Sequence, residues 1–194
     1  MKRKLLPVCL LTLAVAMTTG CRSSKPRTYE MNRIYRQELQ RTENATGLPP
    51  GSDAEAAAIK LFVDFYREYS TASIKAGVRK LYAEDAYFGD PFHGAVGIDE
   101  IEEYFLRMAE PVISCTFDVE DWRRADNEYY FHWVMNLTVR PARNKPIEAL
   151  GFSHVRFNEQ GQVVFQQDYW DSSVLLDRLP VVGFFTRLVK RRLD

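Results

Sequence analysis

Two carboxylates sit among aromatic residues in this chain of 194 residues. The first is Asp90, in Tyr87-Phe88-Gly89-Asp90-Pro91-Phe92-His93. Asp before Pro is a common turn, because Asp tolerates turn geometry and Pro fixes the chain. The aromatic neighbours add something a turn does not need. They would exclude water and raise a carboxyl pKa, as a general base working near neutral pH requires. His93 reads either as a second acid/base group or as a loop residue facing solvent. The second carboxylate is Asp168, in Gln166-Gln167-Asp168-Tyr169-Trp170. In a strand, Gln166, Asp168 and Trp170 share one face, and Gln167 and Tyr169 share the other. If Trp170 faces a cavity, Asp168 does too. Two acids in one apolar cavity could then split their pKa values into acid and base roles. The alternative for Asp168 is a structural pair with an Arg. His93, His132 and His154 are dispersed, without the close spacing of a metal site, so neither metal nor cofactor is expected. Cys115, in Val-Ile-Ser-Cys-Thr-Phe-Asp-Val, reads as a small buried apolar residue rather than a nucleophile.

The elements that would position these groups follow from periodicity. Ser52 and Glu55 form a capping box, and Ala56, Ile59, Phe62, Val63 and Tyr66 then recur at helical spacing. A second helix is predicted over Ile74–Tyr82, capped by Ser73, and a third over Ile98–Met108. Ala86–Phe92 reads as a strand and turn. The period then changes to two. Ile113, Cys115, Phe117 and Val119 alternate with polar residues, as do Tyr129, Phe131, Trp133, Met135, Leu137 and Val139. Ile147–Phe157 and Val163–Trp170 complete four strands, joined by short polar turns. Helices ahead of an antiparallel meander predict an α+β domain: three helices held in a curved antiparallel sheet, a cone whose open end is a pocket.

The ends carry different signals. Lys2, Arg3 and Lys4 precede an apolar run from Leu5 to Met17, then Thr18-Thr19-Gly20-Cys21. That is the layout of a secretory leader, too short to span a bilayer comfortably. Small residues before Cys resemble a bacterial lipobox, although Thr18 stands where Leu is usual. The expected organisation is a signal peptide over 1–20, a lipidated Cys21 and tether over 21–52, the domain over 53–172, and a C-terminal amphipathic helix over 173–194. A short helix near Met31–Arg41 is compatible with the tether. Losing the leader's three basic residues leaves 23 basic against 26 acidic, a formal charge of −3, which is no nucleic-acid footprint. If Cys21 is acylated, Cys115 has no disulfide partner in the mature chain. In the tail, Val181, Phe184, Phe185, Leu188 and Val189 make one apolar stripe, with Arg187, Lys190 and Arg191 off it. This helix either caps the cone or lies on anionic lipid.

Several strings resemble the nuclear transport factor 2-like superfamily, and most closely its ketosteroid isomerase and SnoaL-like cyclase branches. They are Phe65-Tyr66-Arg67-Glu68-Tyr69, Leu81–Phe92, Val155–Val163 and Gln166–Trp170, and the resemblance covers residues 55–172. It implies Asp90 as general base and Tyr66, 24 residues before it, as first oxyanion donor. It places Ser153 where the isomerase branch carries a protonated Asp, and Trp170 where a Trp lines the pocket. Ser is the weaker donor and carries no tunable proton. The expected ligand-lining set adds Phe92, His93 and Trp133. Three functions are compatible with this pattern. The first is an envelope lipoprotein, anchored at a bacterial cell-envelope membrane, binding a small hydrophobic molecule. The second is an isomerase or cyclase with Asp90, Tyr66 and Asp168 as its chemical groups. The third is an interaction module that dimerises through its open sheet face.

Overall fold

The computed structural model describes residues 27–142 and 145–192. The leader and Cys21 lie outside the described residues. Among the described residues there are six α-helices and one six-stranded sheet. Helix α1 spans Arg27–Arg41, α2 Asp53–Tyr66, α3 Thr71–Leu81 and α4 Ile98–Ala109. Strands β1 (Tyr82–Gly89) and β2 (Gly94–Val96) flank the Asp90 turn. Strands β3 (Val112–Ala125), β4 (Glu128–Val139), β5 (Ile147–Phe157) and β6 (Val163–Trp170) follow α4, and helices α5 (Ser173–Leu176) and α6 (Val182–Lys190) end the chain.

The sheet order is β2-β1-β6-β5-β4-β3. The meander β3–β6 is antiparallel, as expected. The sheet as a whole is mixed, because β1 joins β6 in parallel. That pairing brings the Asp90 turn beside the end of β6: Phe88 lies opposite Gln166 and Gly89 opposite Gln167.

The helix details differ from expectation where polar side chains decide them. Ser52 Oγ accepts from the Glu55 N–H, as a cap should. The Glu55 carboxylate, however, is buried and accepts from the Gly51 N–H, Arg124 and the Tyr129 hydroxyl. Burying this acid rotates the inner face of α2 to Glu55, Ala58, Phe62, Phe65 and Tyr66 and leaves Ala56 exposed. Helix α3 starts earlier than expected. Ser70 is its N-cap, and Ser73 closes the capping box instead of capping the helix itself. Tyr82 opens β1 instead of ending α3. A register shift between Val112 and Ser114 turns Ile113 outward, 52% exposed, and Val112 inward.

Helices α2–α4 fill one face of the sheet. Phe62 stacks on Phe131 at 4.3 Å and meets Phe157 edge-on, while Phe105 packs edge-on against Phe88 and Tyr82. The segment read as a tether is in part structural: α1 packs on the other face, over β5 and β6. Tyr35 packs beside Phe165 and bonds the Tyr169 hydroxyl. Arg156, 6% exposed, donates to the Leu39 carbonyl, to Thr42 Oγ1 and to Glu128. Arg41 pairs with Glu38 and Asp85. This cover is why Tyr87 and Phe88 are both buried although they point to opposite faces.

Burial pushes the Glu128 carboxyl up, but hydrogen bonds from His154 and Arg156 outweigh it and hold it down at about 2. Arg156→Met should leave Glu128 with His154 as its remaining partner among the described residues and take the Arg156 contacts from the last turn of α1. The expected loss is roughly 3 kcal/mol, with new protease cleavage in α1. Denaturant unfolding and limited proteolysis check it.

Candidate active site

Gly89 ends β1, and the chain turns at Asp90-Pro91-Phe92-His93. The turn is closed by the Asp90 N–H donating to the His93 carbonyl at 2.9 Å. In return, Asp90 Oδ1 accepts from the Phe92 and His93 N–H groups, each at 2.8 Å. Oδ2 accepts from the Tyr104 hydroxyl of α4 at 2.7 Å. The carboxylate is thus oriented by three donors and still reaches the interior. Burial raises its pKa, and the Tyr104, Phe92 and His93 hydrogen bonds hold the rise back.

Asp168, on β6, lies directly opposite Ser153 on β5. Its Oδ1 accepts from Ser153 Oγ at 2.6 Å and from Gln166 Nε2 at 2.8 Å. Ser153 Oγ accepts in turn from Trp133 Nε1 at 3.0 Å. Trp133 can lie across β5 because its strand partner is Gly151; a Cβ there would fall 2.3 Å from the indole. On the other side, Tyr82 donates to Gln166 Oε1 at 2.6 Å, and Gln166 Nε2 reaches the Tyr66 oxygen at 3.1 Å. The Tyr66 and Tyr82 hydroxyls are 2.5 Å apart. One polar chain therefore runs from β4 through β5 and β6 to β1 and α2, inside an aromatic core. Burial pushes the Asp168 carboxyl up to about 7. The Ser153 and Gln166 bonds pull it down, and the neighbouring Asp90 charge pushes it further up.

These groups meet in a cavity of about 200 Å³. Asp90 and Asp168 are its acids. Tyr66, Tyr69, Phe88, Phe92, Tyr104, Phe105, Phe117, Trp133 and Trp170 supply aromatic wall, and Met108, Val112, Met135, Leu137 and Val139 supply aliphatic wall. Phe92 and Trp170 meet edge-on at 5.6 Å. Leu175 and Leu179, from the C-terminal segment, close part of the wall. Cys115 lines it as an inert thiol, pushed up to about 12 by burial. Asp90 and Asp168 also face a second hollow, under α1, lined by Tyr35, Tyr87, Gln167 and Tyr169.

Tyr66, Asp90, Phe92, Trp133, Asp168 and Trp170 all reach the main cavity, as their sequence reading requires. Two expectations are corrected. His93 is half-buried, and its side chain lines neither hollow; its ring packs on Tyr104 at 4.7 Å, because the turn commits its backbone to Asp90. Ser153 sits behind the wall, in a crevice beside Phe62 and Val119, and its proton goes to Asp168 rather than to a ligand. Tyr66 is qualified as an oxyanion donor. Its hydroxyl is engaged with Tyr82 at 2.5 Å, where either group can donate, and with the Gln166 amide, so this ring of bonds competes with a ligand for the Tyr66 proton. Tyr82 and the Gln166 amide join the site through the face that Gln166 shares with Asp168.

The raised Asp168 pKa has a stability consequence. In the unfolded chain this carboxyl ionises near 3.8, and in the fold near 7. Its contribution is complete below about pH 4 and is lost as pH rises to about 7. Asp168→Asn should flatten that part of the pH–stability curve. Denaturant midpoints across this window measure it.

A family model for the SnoaL-like domain matches residues 62–166. Solved structures show the same fold at low identity. A protein of ketosteroid isomerase-like fold from Catenulispora acidiphila, crystallised with trimethylamine, is 16% identical with a TM-score of 0.54. The match covers 63% of this chain and 93% of that one. A nuclear transport factor 2-like protein of unknown function from Burkholderia pseudomallei is 12% identical with a TM-score of 0.57, over 67% of this chain and 100% of that one. A candidate SnoaL-like polyketide cyclase from Shewanella denitrificans is 17% identical with a TM-score of 0.53, over 63% and 96%. No curated protein sequence matches the chain. The matched span covers more than half of the chain, and the fold agrees with it: this chain belongs to the SnoaL-like domain family.

Proposed function

We propose that the cone binds a small, largely apolar molecule carrying one carbonyl or hydroxyl oxygen. The observation that carries this reading is the pair of carboxyl groups, Asp90 and Asp168, in an otherwise apolar wall. A cavity of about 150 Å³ already admits benzene, so this one accommodates a ring-sized body. Aromatic and aliphatic side chains take the body by area burial. The oxygen is recognised by Asp168: with a pKa near 7 it is available as a neutral donor, and only its Oδ1 is engaged among the described residues. The leader and Cys21 support placing this domain on a cell-envelope membrane through a lipid anchor. The dimerisation reading has less support, since α1 occupies part of the outer sheet face.

A second reading is favoured by the same pair. Asp90 is held by three donors, and the more deeply buried Asp168 is the better proton holder. Asp90 would take a proton from the carbon beside a carbonyl. Asp168 would donate a hydrogen bond to the oxygen as charge develops there, and Asp90 would return the proton to carbon. In this arrangement Asp168 supplies, from β6, the acid that the isomerase branch carries at the position of Ser153.

Thermal shift against a panel of cyclic ketones, steroids and fatty acids tests binding. A neutral oxygen ligand should bind more weakly as pH passes 7, by about tenfold per unit once Asp168 ionises, and Asp168→Asn should remove that dependence. Binding insensitive to both overturns the reading. For the second reading, deuterium from D2O should enter the carbon beside the carbonyl of a bound ketone, and Asp90→Asn should slow this by on the order of 100-fold. No exchange in the wild-type protein contradicts it.

A further inference from the structure

Helix α6 is mounted with its apolar face outward. Val181, Phe184, Phe185, Leu188 and Val189 form its stripe, and each is 44–72% exposed. The polar edge folds back on the turn that precedes the helix. Lys190 Nζ bonds Asp177 Oδ2 at 2.6 Å, Thr186 and Arg187 also bond Asp177, and the Gly183 N–H donates to the Leu179 carbonyl at 2.9 Å. Gly183 is buried there, where a Cβ would meet the Asp177 carbonyl at 2.3 Å. An amphipathic helix ordinarily turns its apolar stripe to the core. This one spends its polar side on the preceding turn and leaves a contiguous apolar patch free, which marks an interaction surface.

Charge says what covers it. From Leu176 to Asp194 the sequence carries five basic residues, Arg178, Arg187, Lys190, Arg191 and Arg192, against two acids, Asp177, which is already paired, and Asp194. A second copy of this chain would bring the same basic rim against itself, and like charges would oppose the contact. An anionic lipid surface complements both the rim and the stripe. At nine residues α6 is about 14 Å long, too short to span a bilayer, and no helix among the described residues is long and apolar enough to cross one. It fits in the plane of the interface.

We propose that α6 docks on an anionic membrane, with Phe184 and Phe185 entering the headgroup–acyl boundary. Leu175 and Leu179, just before α6, belong to the cavity wall. Docking therefore sets that end of the cavity at the bilayer, where an apolar ligand would be most concentrated. This last consequence rests on the ligand reading; the docking does not.

Vesicle flotation of the mature chain beginning at residue 22, which lacks both the apolar leader and the thiol of Cys21, tests the proposal. Vesicles of phosphatidylglycerol with phosphatidylcholine should carry the protein, phosphatidylcholine alone should not, and added salt should release it. Phe184→Ser with Phe185→Ser should weaken binding by roughly tenfold or more. Arg191→Gln and Arg192→Gln should each cost about fivefold. These side chains are exposed, so circular dichroism and melting should stay unchanged, and Asp168→Asn should not affect flotation. Absent flotation, or flotation unchanged by the phenylalanine pair, overturns the proposal. So does a concentration-dependent dimer in solution that the same pair abolishes, since that would assign the face to a second copy.

Discussion

Keeping a carboxyl group inside an apolar cone is the constraint around which this structure is arranged. Asp168 is buried among aromatic rings, and burial alone would make its charge prohibitively costly. Two donors on Oδ1 and a pKa near 7 resolve the conflict. The donors are themselves held: Ser153 by Trp133, Gln166 by two phenols. Trp133 needs Gly151 beneath it. A single acid thus fixes the choice of residue on β4, β5, β6, β1 and α2.

Asp90 solves the same problem differently. It sits at a turn, where two backbone N–H groups are free to point at it, and α4 adds the Tyr104 hydroxyl. The parallel pairing of β1 with β6 then brings the turn to the end of the strand that carries Asp168. The two acids differ because one is held mainly by backbone dipoles and the other by neutral side chains in a drier place. That difference, rather than either residue alone, is what a proton-transfer or oxygen-recognition site needs.

Much of this was legible in the chain. The period of 3.6 located α2, α3 and α4, and the period of two located β3–β6, because both patterns are local. Asp90 and Asp168 stood out as acids among aromatics, and the alternation Gln166–Asp168–Trp170 put three site residues on one face. What escaped was non-local or polar. The pairing of β1 with β6 joins segments some 80 residues apart. Helix α1 docks through Tyr35, Arg41 and contacts from Arg156 instead of an apolar stripe, so its sequence reads as tether. The inner face of α2 includes Glu55, which periodicity counts as polar. Ser153 looked like a lost acid until the register placed Asp168 opposite it. The His93 side chain follows backbone bonds of the turn that composition does not reveal.

Burial and its neighbours tune Asp168 to hold a proton near neutral pH. Carbon-13 NMR of side-chain carboxyl groups, titrated from pH 4 to 9 with Asp168→Asn to assign the resonance, measures this directly. Asp168 should titrate with a midpoint near 7, falling when Asp90→Asn removes the neighbouring charge. A midpoint at the ordinary value for aspartate, close to 4, would contradict it.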